Sequence, residues 1–242
     1  MGNATSAEEV PEVLDNLPAR TTRAESSYIG PNFSVALQNE VRPPAHIPIR
    51  QIYETAWLLR QVTLPDLVPQ ILYYAELFEH QTFQIDQITT THSGHGKEYD
   101  CLTSQPIRSH ARIMCPVQRV IFEIESRESV WERRDGSCCW TRFTAGIKPP
   151  MDDVDLDEES RNFVQQGGLL NTREIGRHDS AMREIKTYTL QWRSDSDDED
   201  ERKWVRSLAN GDTLVVRASA LYPGFVNKIH TVKVALYMTA II

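Results

Sequence analysis

Four cysteines and eleven glycines are few for 242 residues, and both shortages narrow the chemistry. Cys101, Cys115, Cys138 and Cys139 form no C-x-x-C pair and no repeated spacing, which argues against a zinc ribbon or a disulfide-stapled scaffold. A reducing compartment is expected. The glycines build no phosphate loop, no dinucleotide fingerprint and no G-x-S-x-G elbow, so those chemistries lack the backbone cradles they need. A zinc-protease helix is also missing, and no cofactor is expected. Basic residues form no stripe interleaved with aromatics, so nucleic-acid binding lacks its electrostatic footprint. No apolar run approaches the roughly 18–20 residues of a membrane span. The first thirty residues are acidic and rich in Ala, Ser and Thr, without an apolar signal core, so an intracellular, cytoplasmic protein is expected.

What is present is an ordinary globular composition, with 40% hydrophobic and 25% charged residues, enough to bury a core without disulfides or metal. The net charge of −8 is concentrated. Asp152–Glu159 and Asp195–Glu201 each carry six acidic residues, and without those twelve the remainder holds 22 acidic against 26 basic. Runs of one sign repel and stay solvated, which predicts two loops.

Three parts follow from the patterning. Residues 1–46 contain Pro11, Pro18, Pro31, Pro43 and Pro44 without apolar periodicity, and read as a disordered arm. Residues 47–80 read as a helical hairpin. Ile49, Ile52, Ala56 and Leu59 recur at helical spacing, with Trp57 and Leu58 widening the apolar face. Thr63 is the expected N-cap of a second helix that presents Leu67, Val68, Ile71, Leu72, Ala75 and Leu77. Residues 81–242 favour strands: Val117–Ile124, Tyr188–Trp192, Leu214–Ala218 after Asn210-Gly211, and Ile229–Met238 all alternate. Asp135-Gly136 between Val130–Arg134 and Cys138–Phe143 predicts a hairpin. Short strands with turns and no intervening helices predict an antiparallel β-sandwich, jelly-roll-like, of about eight strands.

Trp204-Val-Arg-Ser-Leu208, Gly211-Asp212, Ala218 and Tyr222-Pro-Gly-Phe-Val-Asn227 together resemble the C-terminal pattern of a group of fungal proteins with no established activity. Ser126-Arg127 followed by Trp131, the acidic insert from Asp152, and Leu64-Pro65-Asp66-Leu67-Val68 extend the resemblance over residues 64–240. Phe225 departs from the Trp of that pattern, as does a longer polar loop at Thr89–Gly96. The resemblance implies a β-sandwich and no particular activity.

Several motifs carry chemical candidates. Met1-Gly2-Asn3-Ala4-Thr5-Ser6 fits the N-myristoylation pattern at Gly2, although Glu8 and Glu9 follow and a single acyl chain gives only weak, reversible membrane association. His92, His95 and His110 fall close enough in sequence to share a metal, beside the competing reading of a polar loop. Asp153-Val-Asp155-Leu-Asp157 opens like a calcium loop, but Glu158 and Val164 stand where Gly and Glu are required. Adjacent Cys138 and Cys139 should face opposite sides of a strand. Ser196 precedes an acidic run suited to phosphorylation. Leu64–Leu77 has the opening rhythm of an F-box, without room for its remaining helices.

The expected function is a non-enzymatic binding module for a protein or small ligand, with Trp131, Tyr222 and Phe225 as aromatic anchors. The alternative is a small, cyclase-like enzyme with a pocket in the sandwich or beneath the helices, lined by aromatics and Glu123, Arg142, Arg183 or Arg217. A cavity of about 300 Å³ or more with converging charged groups would favour the enzyme, whereas strand alternation predicts that these charged residues point outward.

Overall fold

The computed structural model describes residues 43–44, 46–87, 89–92, 98–110, 115–130, 141–151, 156–177, 184–220 and 225–240, with backbone alone for 89, 91–92, 128–130 and 225. Strands β1 (Phe78–Ile85), β2 (Thr89–His92), β4 (Val117–Val130), β7 (Lys186–Arg193) and β9 (Phe225–Thr239) make one antiparallel sheet. Strands β3 (Glu98–Thr103), β5 (Thr141–Lys148), β6 (Leu170–Arg177) and β8 (Thr213–Ala220) make the other. The sheet orders are β1-β9-β4-β7 and β3-β8-β5-β6.

These orders have a simple origin. Setting β2 aside, the strands pair from the outside inward: β1 with β9, β3 with β8, β4 with β7 and β5 with β6. That is one long folded ribbon. Rolling it up adds the β4–β9 and β5–β8 ladders and closes two facing sheets, the jelly roll that the strand count suggested. The short β2 lies end to end with β1 along the same edge of β9, pairing with 226–229 while β1 takes 232–239.

Period-two alternation sets the core. Val120, Phe122 and Ile124 of β4 and Val232, Val234, Leu236 and Met238 of β9 face Phe143, Ala145 and Ile147 of β5 and Leu214, Val216 and Ala218 of β8, all nearly inaccessible. Each large side chain among them contributes about 1.5–3 kcal/mol relative to exposure. Arg142, Thr144, Arg217 and Ser219 take the alternate positions on the outer face of the second sheet.

The lead-in is helical, as expected, but its details differ. Helix α1 (Ile49–Val62) is followed by a 3-10 turn, Pro65–Leu67, and by α2 (Val68–Tyr74). Thr63 closes α1 as its C-cap and makes no N-cap bond to the next helix; Leu64 precedes the turn instead, with Pro65 at its first position. Ile52, Ala56, Val68 and Leu72 are buried, whereas Trp57 and Leu58 do not widen the buried face and are about 60% exposed. Glu76 leaves α2 in the left-handed region, at φ 54°, and receives a hydrogen bond from buried Arg119 Nη2 at 2.9 Å.

The acidic runs are loops only in part: residues 156–157 and 195–198 lie in loops, and the residues after them are helical. Glu158–Gln165 forms α3 and Glu199–Arg206 forms α4, with Asp157 and Asp198 as their N-caps. Carboxylates at a helix start accept orphan backbone N–H groups and meet the positive end of the helix dipole, which outweighs their mutual repulsion. Asp198 Oδ1 accepts from Asp200 N at 2.9 Å and Glu201 N at 3.1 Å, and Arg173 lies 2.8 Å from its Oδ2. Those backbone bonds, then Arg173, hold its carboxyl below the usual range. A depressed carboxylate contributes stability above its unfolded pKa and loses it as pH falls through the folded value. Asp198→Ala is therefore expected to destabilise by about 1 kcal/mol at pH 7. In urea melts the gap to wild type should shrink below about pH 4.

Two further expectations meet the topology. The polar stretch opening at Thr89 is an edge strand on β9 and not wholly a loop, since its backbone completes the ladder whatever its side chains. β4 and β5, expected to join as a hairpin, lie in different sheets throughout their described lengths; Asp135-Gly136 falls outside the described residues. Asn210-Gly211 does turn the chain into β8, with Gly211 at φ 94°.

Candidate functional site

The outer face of the first sheet forms a three-by-three grid. His80, Tyr237 and Arg119 share one cross-strand row, Thr82, Ala235 and Ile121 the next, and Gln84, Lys233 and Glu123 the third. Ala235, the smallest side chain, sits at the centre, so its larger neighbours rim a hollow. Pro43, Pro44 and His46 complete the walls of a pocket of about 320 Å³ with His80, Thr82, Ile121, Glu123, Lys233, Ala235 and Tyr237.

Its polar groups are ordered by one another. Lys233 Nζ donates to Glu123 Oε2 at 2.8 Å across the β4–β9 ladder. The His80 ring lies 4.9 Å from the Tyr237 ring, tilted by 38°, and its Nε2 is 2.8 Å from Thr82 Oγ1. The His46 ring meets His80 edge-on, with centroids 5.3 Å apart. Burial first, then His46 and Lys233, push the His80 pKa below its ordinary value, so the ring is neutral at pH 7. Burial, reinforced by Glu123 and opposed by Arg119, raises that of Tyr237. Beside the pocket, Phe78, Ile121, Ala235 and Tyr237 form a small apolar cluster with Tyr73 of α2, separate from the main core. Arg119 lies over the Phe78 ring at 5.7 Å.

The sequence-derived residues scatter. Of the charged pocket candidates that are described, Glu123 lines this cavity and Arg142 and Arg217 do not. Arg142 and Arg217 instead make a structural network on the outer face of the second sheet. Arg217 pairs with Glu98 and Asp100 and donates to the Gly167 carbonyl, while Arg142 lies 3.5 Å from Glu98. Arg183 falls outside the described residues, as do Trp131, Tyr222, His95 and Gly2. Phe225 and His92 are described by backbone only, in β9 and β2. His110 is committed elsewhere: its Nδ1 lies 2.8 Å from Glu79 Oε1, and Glu79 also accepts from the His110 backbone N–H. Among the described residues no group of three His, Cys, Asp or Glu side chains could hold a metal. Ser196 sits in the turn before α4, its Oγ accepting from Asp198 N at 3.2 Å. Cys101 is buried, with its thiol pushed up to about 12 by desolvation, and is no nucleophile.

His80, His46, Thr82, Lys233 and Tyr237 escaped the sequence reading. Each strand shows only solvent-type alternation, and the cover that turns an outer face into a pocket comes from the lead-in, whose placement no motif encodes.

No family model matches the chain, and no characterised protein matches it in sequence. Weak likenesses exist to solved structures. The apo form of BiXyn10A CBM1 is 14% identical with a TM-score of 0.29, over 63% of this chain and 72% of that one. The enzymatically active domain of tailspike protein 4 from bacteriophage CBA120 is 8% identical with a TM-score of 0.27, over 61% of this chain and 19% of that one. A structure of infectious bursal disease virus, Gx strain, is 10% identical with a TM-score of 0.30, over 67% of this chain and 37% of that one. At such scores the functional argument rests on the chain's own residues.

Proposed function

We propose that the chain is a non-enzymatic binding module that seats a small ligand in the pocket on the outer face of the first sheet. The convergence of His46, His80, Thr82, Glu123, Lys233 and Tyr237 around the central Ala235 carries this reading. The volume suits a small molecule. Lys233 and Glu123 cancel one another, and His80 is neutral at pH 7, so the seat favours an uncharged ligand that both donates and accepts hydrogen bonds. The aromatic rings favour one with a flat face.

Catalysis is the second reading, because the cavity has the size and the converging charged groups expected of an enzyme, and a neutral His80 held by Thr82 stands in it with a carboxylate. Glu123 is already engaged by Lys233, and no side chain here combines a nucleophile with a base and an orienting group, so binding is favoured.

Kinship with the fungal group, a cytoplasmic location and acylation at Gly2 belong to the same proposal. Among the described residues no helix is long and apolar enough to cross a membrane. Native mass spectrometry of the protein made in a eukaryotic host tests both parts. A non-covalent adduct is expected on wild type and lost in Thr82→Trp, which fills the cavity from an exposed position. A covalent increase of about 210 Da, lost in Gly2→Ala, is expected from a myristoyl group. Failure to retain any of a panel of neutral heteroaromatics and polyols, with Thr82→Trp indistinguishable from wild type, would refute the pocket reading.

A further inference from the structure

The wall of the pocket formed by residues 43, 44 and 46 differs in kind from the rest. Seven lining residues stand on β1, β4 and β9, whereas Pro43, Pro44 and His46 belong to the segment entering α1 at Pro48. Its His46 ring meets the sheet edge-on against His80, with centroids 5.3 Å apart. Edge-to-face packing of two neutral imidazoles is attractive, and two imidazolium ions at that separation repel.

We propose that Pro43, Pro44 and His46 form a pH-sensitive strap, closed over the outer-face pocket while His80 is neutral and released when His80 takes up a proton. The environment of His80 supports this from every packed element. Thr82 faces it from its own strand; Tyr237 and Lys233 come from β9, Glu123 and Arg119 from β4, and His46 from the strap. The ammonium of Lys233 is a like charge to an imidazolium at His80. Glu123 is the one carboxylate among the described lining residues, and Lys233 already occupies it. A charge on His80 therefore meets no unengaged carboxylate among the described lining residues while the strap is closed, and regains water when it lifts.

The sign follows from linkage. The closed form holds the His80 proton more weakly than the open form, where the ring returns towards its ordinary value near 6.5. Closure is thus fully favoured above about pH 6.5 and weakens as pH falls below it. A ligand seated in the pocket would be held near neutrality and released in mild acid. That consequence rests on the binding reading; the motion itself does not.

Hydrogen exchange of the full-length protein without ligand tests the strap, comparing protection factors at pH 7.5 and 5.5 after correction for intrinsic exchange. Peptides spanning 43–50 are expected to lose about tenfold in protection at the lower pH, while β4 and β9 peptides hold theirs. His80→Gln and His46→Gln should flatten the dependence, with β4 and β9 protection reporting that each variant is folded. Equal wild-type protection at both pH values, or an undiminished tenfold loss in folded His80→Gln, would overturn the proposal. Neither result depends on finding a ligand, so the strap and the binding reading can fail separately.

Discussion

Trp204→Ala is expected to lower the free energy of unfolding by about 3–5 kcal/mol, a large share of the ~5–15 kcal/mol that holds a typical domain together. Trp204 projects from the last turns of α4 into the main core, where its ring lies 4.5 Å from Trp192 and 6.3 Å from Phe122. Its indole N–H donates to the Asn171 carbonyl at 2.5 Å, tying α4 to the start of β6. Arg173 stacks over Trp192 at 5.4 Å and reaches Asp198, so the same corner is fastened from outside. Truncation leaves a void bounded by aromatic faces that cannot collapse to fill it. Trp204→Phe keeps much of the packing and loses the hydrogen bond, for an expected loss of about 1 kcal/mol beyond the volume change. Denaturant unfolding followed by far-UV circular dichroism measures both. A loss below 1 kcal/mol for the alanine variant would mean that α4 does not pack as described.

Leu72→Ala should act differently. Leu72 is 2% exposed, but its cluster holds only Ala56 and Val68 besides, with Leu59 and Leu77 partly buried against them, and stands apart from the main core. Removing that side chain costs about 2–5 kcal/mol, large against what so small a cluster supplies. The expected result is local: amides of α1 and α2 lose exchange protection, while those of β4 and β9 keep theirs. Because the strap enters α1, ligand retention should fall as the lead-in loosens. A global melting transition lowered by the full amount, with protection lost evenly, would show instead that lead-in and sandwich unfold as one unit.

The fold was legible where burial is one-sided. β4, β7, β8 and β9 alternate apolar and polar residues because one face meets the core, and α1 shows helical spacing because Ile52 and Ala56 are buried. Edge strands were harder to see. β3, with Glu98, Tyr99 and Asp100 exposed, and β6, with Asn171 and Thr172 exposed, carry little apolar amplitude, yet their backbones complete ladders. The acidic helix starts carry a local signal: Asp198 followed three residues on by Glu201 has the spacing of a capping box, although the Glu201 carboxylate accepts from Arg193 N instead. The pocket was not readable. Glu123 came into view as a charge on a strand, but His80, Lys233 and Tyr237 converge only because β1 and β4 flank β9 in that register.

That central position of β9 also orders events during synthesis. In its sheet only β4 and β7 can pair before residues 225–239 exist; β1, made far earlier, waits with a bare edge for a partner at the other end of the described chain. Pairing between segments so distant in sequence makes folding slow, and the half-made sheet exposes unsatisfied strand edges while it waits. A ribosome-bound chain stopped before β9 would hold the second sheet's strands and no pocket floor. Such a nascent chain depends on protection from its neighbours, and its yield in a cell should be set more by that interval than by the stability of the finished roll.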